Sequence, residues 1–178
     1  MYNFRLLYLK KRLPVFLKLM RFDRPAGILL LLWPTLWALW LSSDGSPSIK
    51  NLFIFILGVV LMRAAGCVIN DVADRNIDGN VRRTQDRPIP NGSINTKEAT
   101  ITFFILLFIA LTLVMFTNIL TLKLSFVGAI LAISYPFMKR YTHLPQIFLG
   151  AAFAWSIPMV FAAVTNKIDN ILWLLYGA

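Results

Sequence analysis

Long apolar stretches separated by short polar ones organise this sequence. Five of them approach the ~20 residues that a helix needs to cross a hydrocarbon core about 30 Å thick. They run from Ala26 to Ser43, Asn51 to Ile69, Ala99 to Leu120, Leu122 to Met138 and Ile147 to Thr165. A sixth begins near Ile171 and reaches Ala178. Eight residues of helix cover only about 12 Å, so this run does not span alone and the chain reads as a candidate truncation. The first 24 residues follow another pattern, basic and apolar groups alternating around Pro14. Their apolar clusters are too short and too basic for a cleavable signal peptide. One or two amphipathic helices at a membrane surface fit them, with Lys and Arg among lipid headgroups; a disordered basic arm is the alternative. The expected architecture is all-α: one polytopic membrane domain over residues 1–178, residues 1–24 being interfacial and 26–178 forming the bundle.

Composition agrees with the pattern. Apolar residues make up 58% and charged residues 15%, against ~45–50% and ~25% in soluble domains. Mean hydropathy is +0.68. Disorder is excluded, and so much apolar surface could not hide in one small soluble core. The net charge of +10 points in this setting to anionic lipid or an anionic substrate rather than nucleic acid. The basic residues are unevenly placed. Fourteen lie before the first span (Arg5 to Arg24), after the second (Arg75, Arg82, Arg83, Arg87, Lys97) and after the fourth (Lys139, Arg140). The alternate loops hold Lys50, Lys123 and Lys167, and Arg63 lies inside a span. This bias puts the N-terminus and both long polar loops in the cytoplasm. One cysteine, Cys67, and one histidine, His143, exclude an internal disulfide and argue against Cys- or His-based metal centres. Cys67 reads as a packing residue and His143 as a loop residue.

The segment Asn70-Asp71-Val72-Ala73-Asp74-Arg75-Asn76-Ile77-Asp78 ends the second span. If the helix continues at about 100° per residue, Asn70, Asp74, Asp78 and Asp71 fall near 0°, 40°, 80° and 100°, on one face. Carboxylates so close repel in a low dielectric unless a cation holds them. Oxygen donors suit Mg²⁺ or Mn²⁺, and Mg²⁺ completes its shell with substrate phosphates. A solvated acidic helix end, paired with Arg75, Arg82 and Arg83, is the other reading. Arg63 sits near 20° on the same wheel and ~10 Å deeper. An arginine within a span faces a cavity or a partner, so one helix face carries a deep cation below a carboxylate cluster. A snorkelling or interhelical arginine is the alternative. The loop Arg82-Arg83-Thr84-Gln85-Asp86-Arg87-Pro88-Ile89-Pro90 and the pair Lys139-Arg140 supply guanidinium and ammonium groups suited to pyrophosphate, as the topological charge bias would in any case.

The run Asn70-Asp71-x-x-Asp74-x-x-x-Asp78 resembles the first acidic motif of the UbiA superfamily of intramembrane aromatic prenyltransferases. Four further blocks are similar to its branch acting on 4-hydroxybenzoate: Asp23-Arg24-Pro25 with Leu30 through Trp40; Met62 through Cys67; Asp86 through Pro90; and Tyr135 through Pro145 with Gly150 through Ala163. The resemblance covers almost the whole chain. It implies a nine-helix fold around a central cavity, with five complete spans and a partial sixth present here. It implies transfer of a polyprenyl chain from polyprenyl pyrophosphate to 4-hydroxybenzoate, ortho to the hydroxyl, in ubiquinone biosynthesis. The reaction would require Mg²⁺ and take place in the bacterial inner membrane. On this resemblance Asn70, Asp74 and Asp78 hold the metal, Asp74, Asp78 and Arg140 are catalytic, and Asp71, Lys139 and Arg83 bind substrate; Arg63, whose fork matches a benzoate carboxylate, binds the acceptor. The second acidic motif, D-x-x-x-D, is expected beyond Ala178, so this chain would carry half of the metal-binding set. Other acceptors (homogentisate, a naphthoate, haem), a small cation transporter and an inactive fragment remain as alternatives.

Small residues at 64–66 and 150–154 are expected to let helices approach closely. Pro34 and Pro158 are expected to kink their spans. Trp33, Trp37, Trp40, Phe137 and Trp155 are expected mostly at lipid or interfacial positions.

Overall fold

The computed structural model describes residues 12–79, 81–138, 141 and 143–177. All its regular structure is helical. A first helix, α1, covers residues 12–19. It is followed by α2 (Ala26–Ser42), α3 (Ile49–Ala73), the single turn α4 (Arg75–Asp78), α5 (Thr96–Val114), α6 (Ile119–Met138), α7 (Pro145–Ala154), α8 (Ser156–Thr165) and α9 (Asn170–Gly177). By length and composition α3, α5, α6 and the α7–α8 pair can each cross a membrane, while α2, at 17 residues, falls just short.

α3 is the axis of the bundle. It packs most extensively on α5, and also meets α2, α6 and α8. Two separate cores form along it. Near its C-terminal end Ala64, Ala65 and Val68 pack with Leu19 of α1, Ile94 of the following loop, and Ala99, Phe103 and Leu106 of α5. Near its N-terminal end Ile54 and Phe55 pack with Ala38 and Leu39 of α2, three residues of α8 and Leu172 of α9. The alanines at 64 and 65, 2% and 1% exposed, let α5 close on α3, as the small-residue run predicted. A cavity runs alongside α3 past both cores, from Ile54 to Asp71.

Local signals set the ends of the elements. Ser48 caps α3 through a hydrogen bond from the Asn51 N–H. Asn95 and Glu98 form a reciprocal capping box at the start of α5, and Arg12 of α1 pairs with Glu98 at 2.9 Å. Asn118 caps the start of α6, accepting from the Thr121 N–H at 2.9 Å. Its amide also donates to the Ala162 carbonyl of α8.

Two sequence expectations are corrected here. The second span is longer than Asn51–Ile69 and carries Asn70 and Asp71 inside its last turn. The fifth is not one helix: it breaks at Trp155. Pro158 accounts for that position. It has no N–H for the Ala154 carbonyl, and its ring crowds that same carbonyl, so the ladder parts at 154–155. By contrast α2 runs unbroken through Pro34. Trp33, Trp37, Trp40 and Phe137 are exposed on the outside of the bundle, as expected for lipid-facing or interfacial rings.

Leu19 and Leu17, neighbours on α1, make a controlled pair. Leu19 is fully buried and Leu17 is 39% exposed. Leu19→Ala should cost about 2–5 kcal/mol and Leu17→Ala under about 1 kcal/mol, read as the shift of a detergent-unfolding curve.

Candidate active site within the bundle

Asp71 is the most constrained side chain of the acidic segment. It lies on the last turn of α3 and is 0% exposed. A buried carboxylate is tolerable only when paired and hydrogen-bonded, and two guanidinium groups supply this. The Arg21 Nη2 donates to Asp71 Oδ1 at 2.8 Å and to Oδ2 at 3.2 Å. The Arg87 Nη1 donates to Asp71 Oδ1 at 3.2 Å and to Asp78 Oδ2 at 2.6 Å. Arg87 therefore bridges two carboxylates seven residues apart, the spacing that returns a helix to the same face.

The backbone is arranged to allow this. α3 ends at Ala73, with Asp74 at its C-cap (φ −91°, ψ 5°), so the helix is not continuous through the acidic segment as the helical wheel assumed. The phase survives nonetheless. The Asp74 N–H still bonds the Asn70 carbonyl at 3.0 Å, and the Asp78 N–H the Asp74 carbonyl at 2.9 Å. Arg21 ends α1 in a left-handed conformation, φ 61°. Its N–H bonds the Lys18 carbonyl and the Phe22 N–H bonds the Leu17 carbonyl, the pairing of a Schellman cap. Glycine is the usual residue there because a Cβ is penalised. An arginine in that place is repaid by the ion pair its side chain makes.

Below this rim lies a cavity of about 640 Å³. Its walls are mostly apolar and come from α2, α3, α5, α6, α7 and α8. Its polar residues include Arg21, Asn70, Asp71 and Arg87 at one end and Arg63 deeper along α3. Arg63, half-buried, stands 6.0 Å from the centroid of the Phe153 ring of α7, a cation–π distance. Among the described residues it has no carboxylate or hydrogen-bond partner. Gly27 of α2 makes room for it: a Cβ at that position would fall 2.5 Å from both Nε and Nη2 of Arg63. Farther round the wall, Trp155 seats its ring on Gly128 of α6 and donates from Nε1 to the Leu124 carbonyl at 2.8 Å. It is thus a cavity residue, unlike the other tryptophans named above.

The residues expected from the sequence divide as follows. Asn70, Asp71 and Arg63 line the cavity, whereas Asp74 and Asp78 are not among its lining residues. Asp78 is 6% exposed and turned to Arg87. Arg83 is exposed and lines a second, polar pocket together with Arg21 and Arg87. Lys139 and Arg140 lie outside the described residues. Arg75 donates to the Val72 carbonyl; Arg21 and Arg87, not Arg75, Arg82 or Arg83, hold the buried carboxylates. Neither partner was singled out from the sequence. Arg87 had a signal, being the cation a few residues beyond two carboxylates at i and i+7; Arg21, fifty residues before Asp71, had none.

The UbiA prenyltransferase family model matches residues 31–178. The chain belongs to the UbiA prenyltransferase family. It is 64% identical over 170 residues to the 4-hydroxybenzoate octaprenyltransferase of Saccharophagus degradans, a match covering 96% of this chain and 57% of that protein. It is 54% identical over 170 residues to the enzyme of the same name from Coxiella burnetii, covering 96% and 59%. The chain thus spans a little over half the length of the curated relatives it matches. Among solved structures, a digeranylgeranylglyceryl phosphate synthase aligns with TM-score 0.79 at 25% identity, covering 93% of this chain and 57% of that one. A UbiA homologue from Archaeoglobus fulgidus, bound to DMAPP and Mg²⁺, aligns with TM-score 0.76 at 17% identity, covering 90% and 58%. The helical fold around a cavity is therefore the UbiA fold, and its helices are those of a multi-pass membrane protein related to bacterial enzymes.

Among the described residues, no three Asp, Glu, His or Cys side chains converge as a metal cage. The oxygens that line this UbiA cavity at its rim are the Asn70 amide and the Asp71 carboxylate, and the carboxylates of Asp74 and Asp78 follow in the same segment outside the lining. That chemistry fits a Mg²⁺ ion that takes one or two carboxylates and fills its shell with water and phosphate. The ion-pair network at the rim makes a direct prediction. Asp71→Asn leaves Arg21 without its carboxylate and Arg87→Gln leaves Asp78 without its guanidinium, and each should cost up to about 3–5 kcal/mol. The double variant should cost clearly less than the sum of the two, and a double-mutant cycle of unfolding free energies measures that coupling.

Proposed function

We propose that the chain carries the acceptor and phosphate-binding half of a 4-hydroxybenzoate polyprenyltransferase. That enzyme transfers a polyprenyl group from polyprenyl pyrophosphate to the ring carbon ortho to the hydroxyl, giving 3-polyprenyl-4-hydroxybenzoate in ubiquinone biosynthesis. The observation that carries this reading is Arg63: a guanidinium within a membrane-length helix, lining an apolar cavity, with no carboxylate partner among the described residues. A charge in that position needs an anion, and the two relatives named above act, by name, on a small aromatic anion.

In this reading Arg63 holds the benzoate carboxylate through its planar fork, with Gly27 leaving it space and the Phe153 ring beside it. Asn70, Asp74 and Asp78 would hold Mg²⁺ at the rim, Asp78 leaving its ion pair with Arg87 to do so. Bound there, the ion would neutralise charge building on the departing pyrophosphate as its bond to the allylic carbon breaks. Asp71 fixes Arg21 and Arg87 beside that rim, where they add positive potential. Lys139 and Arg140 contact the pyrophosphate, and Arg83 stands on its outward route. The apolar walls exclude water, which would otherwise capture the allylic cation. The ring carbon then bonds to the prenyl C1, and loss of the ring proton restores aromaticity. The basic end of the bundle faces the cytoplasm, as the charge bias directs, in the bacterial inner membrane.

Arg63→Ala tests the reading by binding. Measured on the chain in detergent micelles, it should weaken 4-hydroxybenzoate binding at least tenfold. Affinity for a polyprenyl pyrophosphate measured with Mg²⁺ should stay within about threefold, since Arg63 lies roughly 10 Å from Asn70 along α3. Unchanged affinity for the aromatic acid would refute the assignment.

A further inference from the structure

α7 and α8 are two halves of one span, and their packing is unequal. α8 buries Ile157, Pro158, Val160, Phe161 and Ala162, whereas no residue of α7 is buried. Burial in a core therefore fixes α8 and leaves the direction of α7 to be set at the break between them. The cavity wall depends on that direction. Leu149, Ala152 and Phe153 of α7 line it, and Phe153 is the ring beside Arg63.

Side chains of three other helices grip the break. α6 holds Trp155 through the Leu124 carbonyl and the notch at Gly128. The Ser156 and Thr35 hydroxyls stand 2.7 Å apart and join the start of α8 to α2. The third grip, from α9, differs because it reaches α7 itself. Leu172 anchors α9 in the core, and Tyr176 follows it by four residues on the same face. The Tyr176 hydroxyl donates to the Ala151 carbonyl at 3.1 Å. The last four carbonyls of a helix lack partners within it, and Ala151 is the first of those four in α7. The Tyr176 ring meets Trp155 edge-to-face, with centroids 5.8 Å apart at 84°, and meets Trp173 in the same way at 5.7 Å and 90°. Aromatic pairs favour this geometry. One side chain thus holds residues 151 and 155, and Phe153 lies midway between them.

We propose that Tyr176 is a positioning residue for the acceptor subsite: it sets the angle at which α7 leaves the break and so keeps the Phe153 ring beside the Arg63 guanidinium. The proposal rests on the assignment of Arg63 to the carboxylate of the aromatic acid. Tyr176 is not among the residues that line the cavity, so it acts through Phe153.

The test measures ligand affinity and backbone hydrogen exchange on the full 178-residue chain in detergent micelles. Tyr176→Phe removes the bond to Ala151 and keeps the ring. It should weaken 4-hydroxybenzoate binding about threefold, the scale of one neutral hydrogen bond. Tyr176→Ala removes both holds and should weaken it about tenfold. Affinity for a polyprenyl pyrophosphate with Mg²⁺ should stay within about twofold, because no residue of the charged rim stands on α7. In a Phe153→Ala background, Tyr176→Phe should change acceptor affinity less than about 1.5-fold, since the ring it positions is gone. Amide exchange in Tyr176→Phe should rise at least about threefold in α7 and less than about twofold in α8. Should Tyr176→Ala lose its helical circular dichroism, Tyr176→Phe decides. Unchanged acceptor affinity in the Tyr176 variants, an equal loss with and without Phe153, or exchange that rises equally in α7 and α8 overturns the proposal. Unchanged affinity in Arg63→Ala strikes the Arg63 reading and this one with it. Loss of binding in Arg63→Ala beside silent Tyr176 variants strikes this one alone.

Discussion

A carboxylate with no exposure to solvent, Asp71, is the constraint around which this part of the molecule is arranged. Water cannot solvate it, so protein cations must, and they come from two distant places: the end of α1 and the loop after α4. Meeting that demand pins both segments to the last turn of α3. It places a left-handed arginine where a helix cap favours glycine. It brings Asp78 onto the same guanidinium as Asp71. The rim of the cavity is thereby held by charge, while the two apolar cores farther along α3 are held by packing.

The cavity combines two environments that the proposed chemistry needs together. Ionising an allylic pyrophosphate requires concentrated charge at the leaving group and an absence of water at the carbon. Here the charge is confined to the rim and to Arg63, and the remaining wall is mostly apolar. The intermediate position of Arg63 follows from Gly27, since any side chain on α2 at that height would occupy the guanidinium's space. Trp155 shapes the opposite wall in a similar way, its ring filling the notch that Gly128 leaves.

Much of this was legible from local pattern. Apolar runs of span length became helices, the fifth parted only where Pro158 removes an N–H from the ladder. Arg63 and Asp71 share the cavity because seven- and eight-residue separations return to nearly the same face of α3. The small residues at 64 and 65 became the α3–α5 contact because only small side chains permit that approach. What was not legible depends on distance in sequence or on empty space. The pairing of Arg21 with Asp71 spans fifty residues and has no local signature. The interruption that Pro158 was expected to make in its span did occur, and what local pattern left out is only its place, one turn earlier at Trp155, where the carbonyl facing the proline ring lies. Gly27 acts through an atom it lacks. The helical wheel drawn through Asp74 and Asp78 assumed a continuous helix, whereas the C-cap at Asp74 separates α3 from α4; the phase nonetheless survives, and Asp78 lies outside the cavity lining, paired with Arg87.

The central claim is that the cavity alongside α3 accepts a prenyl chain with its pyrophosphate at the Asn70–Asp71 rim. Photolabelling with a diazirine-bearing prenyl pyrophosphate in the presence of Mg²⁺, followed by peptide mapping, tests it most directly. The account predicts label on inward residues such as Leu31, Gly58 and Ala132, displaced by excess unlabelled prenyl pyrophosphate. Label confined to outward-facing rings such as Phe104 and Phe108, or insensitive to competition, would contradict it.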